Sequence, residues 1–150
     1  MPGILYHSPA DILRELLISL GIGVDPDDGT DANWPIFATQ EPNLPDNVIT
    51  VYNSDGISHG REQIGGEQQY HHGIQVRIRA TTTEVGNVKA YAVKQCFDET
   101  IYQNAVTLGE YSYLVHALSK TSNVIELGPE APVSERVILV INGYMSVRLA

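Results

Sequence analysis

The longest stretch in which apolar and polar residues alternate without a break runs from Gly73 to Ala80. A period of two is typical of a β-strand that lies with one face on the core and the other toward polar surroundings. The apolar face then carries Ile74, Val76, Ile78 and Ala80, and the polar face carries Gln75, Arg77 and Arg79. The Thr-x-x-Glu spacing of residues 81 to 84 follows at once, and this capping box predicts a helix over 82 to 104 that covers the apolar face.

Helical spacing of apolar residues occurs in two segments. Ser8 and Pro9 are typical of a helix start and Gly21 of a helix end, so the leucine-rich segment between them predicts a helix over 8 to 21. In the second helix, the residues predicted to face the core are Val85, Val88, Ala92 and Cys96, with Val93, Phe97 and Ile101 beside them. Lys89 falls inside this apolar arc, so its stem is predicted to snorkel toward solvent.

The remaining elements are strands separated by turns. The sequence predicts strands over 34 to 40, 48 to 53, 70 to 80, 110 to 118 and 136 to 148. The last strand is predicted to break at Asn142-Gly143, and residues 121 to 134 are predicted to form a loop. The resulting order, α-β-β-β-α-β-β, indicates an α+β fold with a mixed, mainly antiparallel sheet. We expect a single domain over residues 1 to 150, with both helices on one face of the sheet.

A long polar segment, residues 55 to 69, separates two of these strands and is called the arm below. The arm contains four glycines and few apolar side chains, so it adds little to the core of its own subunit. A loop of about 15 residues in a compact domain is long enough to indicate a function. We expect the arm to contact a neighbouring molecule and to be dispensable for the stability of the subunit.

The charge of the chain argues against strong binding to nucleic acid. Its 18 acidic and 9 basic residues give a net charge of -9 at pH 7, whereas DNA-binding proteins use Lys and Arg to displace counterions from phosphates. Acidic residues are concentrated between Asp25 and Asp46, and they are expected to pair with the arginines of the alternating strand within or between subunits.

The chain is long enough to bury a core without disulfides, and it has a single cysteine, Cys96. Its N-terminus lacks the pattern of a secretion signal, and no apolar run reaches the roughly 18 residues of a membrane span. We therefore expect a protein that is assembled in the cytoplasm and has no membrane partner.

No catalytic, cofactor or metal site is predicted. The sequence lacks a Gly-x-Ser-x-Gly elbow, a phosphate-binding loop and a His-Glu-x-x-His pair. Asp25, Asp27 and Asp31 alternate like calcium ligands, but the glycine and glutamate that an EF-hand requires are missing at the corresponding positions. The segment from 24 to 33 is therefore predicted to be a plain acidic loop.

Isolated histidines and the cysteine give equally weak indications of chemistry. His71 and His72 are neighbours on a predicted strand, so they point to opposite faces and cannot share one metal ion. His116 is predicted to be partly buried, and Cys96 to be an unreactive core residue. A metal-dependent enzyme that uses His59, His71 and the acidic loop is the remaining catalytic alternative.

The strand sequences resemble a known family. Residues 45 to 52, the polar arm, and residues 73 to 80 leading into a helix are similar to the tail-terminator proteins of long-tailed bacteriophages, also called tail-completion or minor capsid proteins. Gly128-Pro129 and Glu135-Arg136, placed before the closing strands, are similar as well. The resemblance extends from residue 8 to residue 148. It lies in strand sequences and not in a catalytic motif, because this family has no catalytic residues.

The resemblance implies a structural protein of the virion neck. It implies a hexameric ring that caps the tail tube, ends tube polymerisation and joins the tail to the head-side connector or stopper protein. The implied partners are further copies of the chain, the tail tube protein and the connector, while genomic DNA passes through without specific binding. A head-completion, stopper or other neck ring protein of the same particle is the alternative.

The subunit interface is expected to use the arm, the arginines of the alternating strand and the segment before the last strand. The candidate interface residues are Ser58, His59, Arg61, Gln63, Ile64, Glu67, Arg77, Arg79, Glu130, Glu135 and Arg136.

Overall fold

A computed structural model describes residues 5–28, 33–43, 45–58, 70–120, 122–129 and 136–150. The helices are α1 (Pro9–Ser19) and α2 (Thr83–Gln95), with a 3-10 turn at Pro26–Asp28 and a π-helical turn at Cys96–Thr100. The strands are β1 (Ile36–Ala38), β2 (Val48–Ser58), β3 (Tyr70–Ala80), β4 (Tyr102–Leu108), β5 (Tyr111–Lys120), β6 (Ile125–Pro129) and β7 (Val137–Leu149).

The seven strands form one sheet in the order β1-β2-β3-β7-β5-β4, with β6 paired to β7 beside this path. Only β1 and β2 are parallel, and the other pairs are antiparallel. One edge of β7 pairs with β3, and its other edge is shared, because β5 pairs with residues 143–149 and β6 with residues 137–140. The predicted α+β class with a mixed, mainly antiparallel sheet is thus confirmed.

The sheet curls around α1. This helix contacts β1 and β4, which are the two edge strands, as well as β2 and β3. Its buried residues follow helical spacing and are Ala10, Ile12, Leu13, Leu16 and Leu17. Ser8 caps the helix by accepting a hydrogen bond from the Asp11 amide at 3.2 Å, and the amide of Ala10 donates to Asn53 Oδ1 on β2 at 2.9 Å. The leucine-rich stripe of α1 therefore forms the centre of the core.

The second helix packs on β3 and β7 through a glycine. A side chain at Gly86 would place its Cβ 2.5 Å from Leu139 Cδ1 and 3.2 Å from the Cβ of Ala80, so glycine permits the close approach of helix and sheet. Ala90, Val93 and Phe97 continue the same helical line and are buried. The predicted line through Val85 and Val88 was wrong, because Val85 is 38% exposed and Val88 71% exposed. The helix is rotated so that Gly86 and Val93, rather than Val85 and Val88, lie on its buried side.

The second helix is also shorter than predicted. It ends at Gln95, and the π-helical turn leads into β4, where the sequence predicted helix up to residue 104. The amide of Ile101 donates to the carbonyl of Cys96 at 2.9 Å, which closes the wide turn and releases the chain into extended conformation. The side chain of Asn104 then accepts from the Tyr102 amide at 2.6 Å. Burial of Val106 against the core stabilises β4 as a strand.

Other boundaries also differ from the prediction, including the first strand, which is limited to Ile36–Ala38. The predicted loop over 121–134 contains β6. The last strand does not break at Asn142-Gly143, since β7 is continuous there, and the missing side chain of Gly143 leaves room for the Ser119 carbonyl, which would lie 2.8 Å from a Cβ. The arm is shorter than residues 55–69, because β2 extends to Ser58. Residues 59–69 lie outside the described part of the chain.

The buried face of β3 gives a test of this core. Val76→Asp is expected to abolish cooperative folding, because Val76 is 0% exposed and an unpaired buried carboxylate costs several kcal/mol, on the order of the total stability. Val88→Asp is the matched control, and it is expected to change the free energy of unfolding by less than about 1 kcal/mol because Val88 is mostly exposed. Urea unfolding measures both, and equal losses in the two variants would contradict the observed orientation of α2.

Candidate assembly surface

The loop between β1 and β2 is bound by a buried arginine. Arg79 on β3 is 2% exposed, and its guanidinium group donates hydrogen bonds to four backbone carbonyls of this loop. The acceptors and their distances are Pro42 O at 2.6 Å, Pro45 O at 2.6 Å, Asp46 O at 3.1 Å and Asn43 O at 3.2 Å. The two prolines lack amide hydrogens, so this loop has few donors of its own and the arginine supplies them.

Two further arginines hold the same loop. Arg136 donates to the carbonyl of Asn43 at 2.7 Å and pairs with Asp46 at 3.4 Å. Glu41 lies between Arg77 and Arg79, with its carboxylate oxygens 3.3 Å from Arg77 Nε and 3.8 Å from an Arg79 terminal nitrogen. Residues 41–43 and 45–47 of this loop, called the arginine-bound loop below, are thereby fixed over the polar face of β3. The predicted pairing of acidic residues with the strand arginines is confirmed within the subunit.

Not every polar atom beneath this loop is satisfied. The hydroxyl of Thr50, a fully buried residue, has no hydrogen-bond partner among the described residues. The Arg77 Nε and Glu41 oxygen attract each other as ions but lack hydrogen-bond geometry. Burial, followed by the nearby Glu41 carboxylate, raises the pKa of Tyr52 on β2. The polar face under the loop is therefore a charged, partly desolvated layer that binds its own chain.

The structure describes only some of the candidate interface residues. Arg77, Arg79 and Arg136 surround the arginine-bound loop, and Ser58 is the last residue of β2. The others lie outside the described residues, namely His59, Arg61, Gln63, Ile64, Glu67, Glu130 and Glu135. An interface role for any of these residues stays a prediction.

The isolated residues considered for chemistry have structural surroundings. Cys96 is buried, and burial raises the pKa of its thiol, which favours the unreactive protonated form at neutral pH. His116 lies 3.2 Å from the Gln103 side chain on the neighbouring strand. His71 and His72 are consecutive residues of β3, and within the described part of the chain no three metal-binding side chains come together. His59, part of the proposed enzyme alternative, lies outside that part.

The Lys89 side chain is half-buried, and its amine contacts groups of its own chain. Its Nζ donates to the carbonyl of Ile22 at 2.8 Å and lies 5.4 Å from the centre of the Trp34 ring, which is a cation–π contact. Burial lowers the pKa of this amine. Lys89 and Trp34 line an open cavity of about 250 Å³. The other residues that line it are Glu84, Val85 and Val88. An apolar patch on α2 therefore lies beside a lysine that contacts its own chain.

The described part of the acidic loop forms a turn, as predicted. Residues 26–28 are 3-10 helical, and the Asp25 carboxylate accepts from the Asp27 amide at 3.0 Å. Asp25 also pairs with Arg14 of α1 at 3.4 Å.

Sequence reasoning missed an aromatic contact that holds the chain before α1. The Tyr6 ring stacks on Tyr111 with 4.0 Å between ring centres, and the Tyr6 amide donates to the Tyr113 hydroxyl at 3.2 Å. His7 Nδ1 lies 2.6 Å from the same hydroxyl. The aromatic alternation of Tyr111 and Tyr113 in β5 was the only available signal, and nothing in the sequence specified its partners.

None of the helices in the described residues is long and apolar enough to cross a membrane.

The family model described as bacteriophage tail terminator protein matches residues 16–136. The chain belongs to the bacteriophage tail terminator family. It is therefore a structural tail protein and a component of the virion, in a family that is in general not enzymatic.

Other similarities add little to this assignment. No protein with a curated description matches the sequence. One solved structure is similar over 93% of this chain and 89% of its own length, at 14% sequence identity and a TM-score of 0.44. Similarity at that level carries no argument about the terminator's function. The identity of the family agrees with the resemblance seen in the strand sequences.

The arginine-bound loop gives a second prediction. Arg79→Met is expected to destabilise this tail terminator by about 3 to 5 kcal/mol, because four carbonyls and Glu41 lose a buried cationic donor. Arg148→Met is the matched control, since Arg148 is exposed and donates a 3.3 Å hydrogen bond to the Leu149 carbonyl. Chemical denaturation compares the two variants, and an Arg79→Met protein as stable as the control would refute the structural role of this arginine.

Proposed function

We propose that this tail terminator assembles as a hexameric ring on the head-proximal end of the tail tube. There it ends tube polymerisation and joins the tail to the head-side connector or stopper protein. The family match over residues 16–136 carries this proposal, because it spans the end of α1, all of α2 and every strand before β7. Assembly of the subunit in the host cytoplasm belongs to the same proposal.

The proposed subunit has both helices on one face of the sheet. Asn53, which contacts α1, is opposite Ile74 in the register of β2 and β3. Gly86 of α2 lies against Ala80, and Ile74 and Ala80 are separated by an even number of residues along β3. These contacts support one helical layer. The opposite face of β3 then carries the arginine-bound loop.

The charge distribution supports passage of DNA without retention. The chain carries a net charge of -9, and the three arginines that would otherwise attract phosphates contact acidic side chains and carbonyls of their own loop. A ring of such subunits has a wall that repels the backbone of DNA rather than binding it. We propose that genomic DNA moves through the ring on this basis.

The arm supplies a test of the assembly role. Ser58 and Tyr70 are directly paired across β2 and β3, so residues 59–69 can be replaced by Asn-Gly, a two-residue turn suited to joining such a pair. The shortened protein is expected to melt within about 5 °C of the wild type, because the sequence of the arm contains few apolar side chains. Phage carrying it are expected to yield heads and tails that remain separate.

The existing two-residue turn between β4 and β5 provides the control. Replacing Gly109-Glu110 by Asn-Gly makes a similar turn elsewhere, and it is expected to change neither melting nor infectivity. Negative-stain images and plaque counts measure the outcome. Infectious particles with normal tails from the variant that lacks residues 59–69 would refute the assembly role. If images place this protein on the head side of the neck, that location would favour the stopper alternative.

A binding measurement tests the channel. The purified protein is expected to show no retention of double-stranded DNA at physiological salt, because it lacks the excess of positive charge that gives salt-dependent phosphate binding. A mobility-shift titration measures this, with lowered salt as the sensitive condition. Tight binding that weakens steeply as salt is raised would indicate a DNA-gripping role instead.

A further inference from the structure

One end of the sheet is formed by β4, a strand that pairs only with β5 among the described residues. It is seven residues long, and Tyr102 at its start is 73% exposed. Val106 points to the core, while Gln103, Ala105 and Thr107 are exposed. Such an edge presents backbone donors and acceptors that remain available for another strand.

This edge lacks the charged residues and prolines that commonly protect edge strands. Charged side chains, prolines and short length are the common devices that prevent edge pairing, and β4 contains neither a charged residue nor a proline. Every other strand of five residues or more contains charged residues, namely Asp55, Arg77 and Arg79, Lys120, Glu126, and Arg148. Among the described strands of five residues or more, the uncharged one is therefore at an edge of the sheet.

The opposite end of the sheet has a complementary free stretch. The outer side of β1 is covered by Val24, whose amide donates to the Trp34 carbonyl at 3.1 Å and whose carbonyl accepts from Ile36 at 3.0 Å. β1 pairs only with residues 49–51 of β2. From Tyr52 to Ser58, β2 therefore pairs with β3 on one side and, within the described residues, has no strand on the other.

We infer that β4 of one copy pairs with Tyr52–Ser58 of β2 in a second copy. Because the two stretches lie at opposite edges of one sheet, each copy supplies both halves of a head-to-tail contact, and repetition of that contact closes a ring. Backbone hydrogen bonds hold the strands together, and β4 adds no charge to this contact, in which Asp55 of β2 is the one charged residue. The inference rests on the proposed ring and assigns its subunit contact.

Charged substitutions on the edge test this contact. Ala105→Lys with Thr107→Lys is expected to reduce the assembled protein to monomers and to lower the yield of infectious phage at least 10-fold, because lysines oppose edge pairing. Gln95→Lys with Ser119→Lys adds the same charge at exposed positions away from the edge, and it is expected to behave like the wild type. Native mass spectrometry and cross-linking on isolated tails measure assembly, and circular dichroism verifies that both variants fold.

The outcomes separate the edge contact from the ring itself. If the edge variant forms the same oligomers as the wild type, the inference about the contact is overturned and the proposed ring stands. A wild-type protein that stays monomeric both in solution and on tails would overturn the ring and the inference with it.

A photoreactive amino acid at position 105 identifies the strand that contacts β4. On assembled tails it is expected to cross-link to a second copy within residues 52–58. Cross-links to another region of the chain, or to a different virion protein, would overturn the proposed pairing. The same amino acid at position 95 is the control for nonspecific labelling, and it is expected to give no such product.

Discussion

The burial of one face of β3 is the constraint on which the rest of the structure depends. Ile74, Val76, Ile78 and Ala80 are fully buried, and apolar burial of this kind contributes roughly 25 cal/mol per Å². Because β3 lies between β2 and β7, covering this face also positions these two neighbouring strands. The curled sheet around α1 and the glycine contact of α2 are two ways of excluding water from the same surface.

Alternation along β3 places arginines on its other face. A guanidinium group buried to the extent of Arg79 requires several acceptors, and the proline-containing loop offers carbonyls that lack partners within the loop. The donors of the guanidinium group and the carbonyl acceptors of the loop satisfy each other. This explains how a short segment without regular structure is held over the sheet. The same arrangement removes positive charge from the surface of a protein that we propose to surround DNA.

This tail terminator illustrates how an assembly protein differs from an enzyme of similar size. Its described polar clusters are used for binding its own loop and N-terminal segment, and the family is structural. Function then depends on which parts of the sheet and arm remain available to other molecules. In our proposals these are backbone edges and a polar arm rather than side chains with altered reactivity, so variants that change shape or edge protection test function most directly.

The sequence by itself determined the fold class, the central strand, the first helix and the family. These features depend on local periodicity and capping, which act over a few residues and leave a direct pattern in the chain. It also indicated that acidic residues near Glu41 and Asp46 would pair with strand arginines, although not that Arg79 would bind four carbonyls. That contact required the loop and β3 to be brought together by the sheet.

Only the tertiary structure decided the end of α2, the rotation of that helix and the existence of β4 and β6. Tyr102 to Asn104 continue a helical pattern locally, but the edge of the sheet gives this segment a strand partner, and burial of Val106 favours that alternative. Valine is more hydrophobic than glycine, so the periodicity of the sequence assigns Val85 and Val88 to the core. Close packing against Ala80 and Leu139 instead selects Gly86. Long-range packing decided these features because the competing local conformations differ by little in free energy.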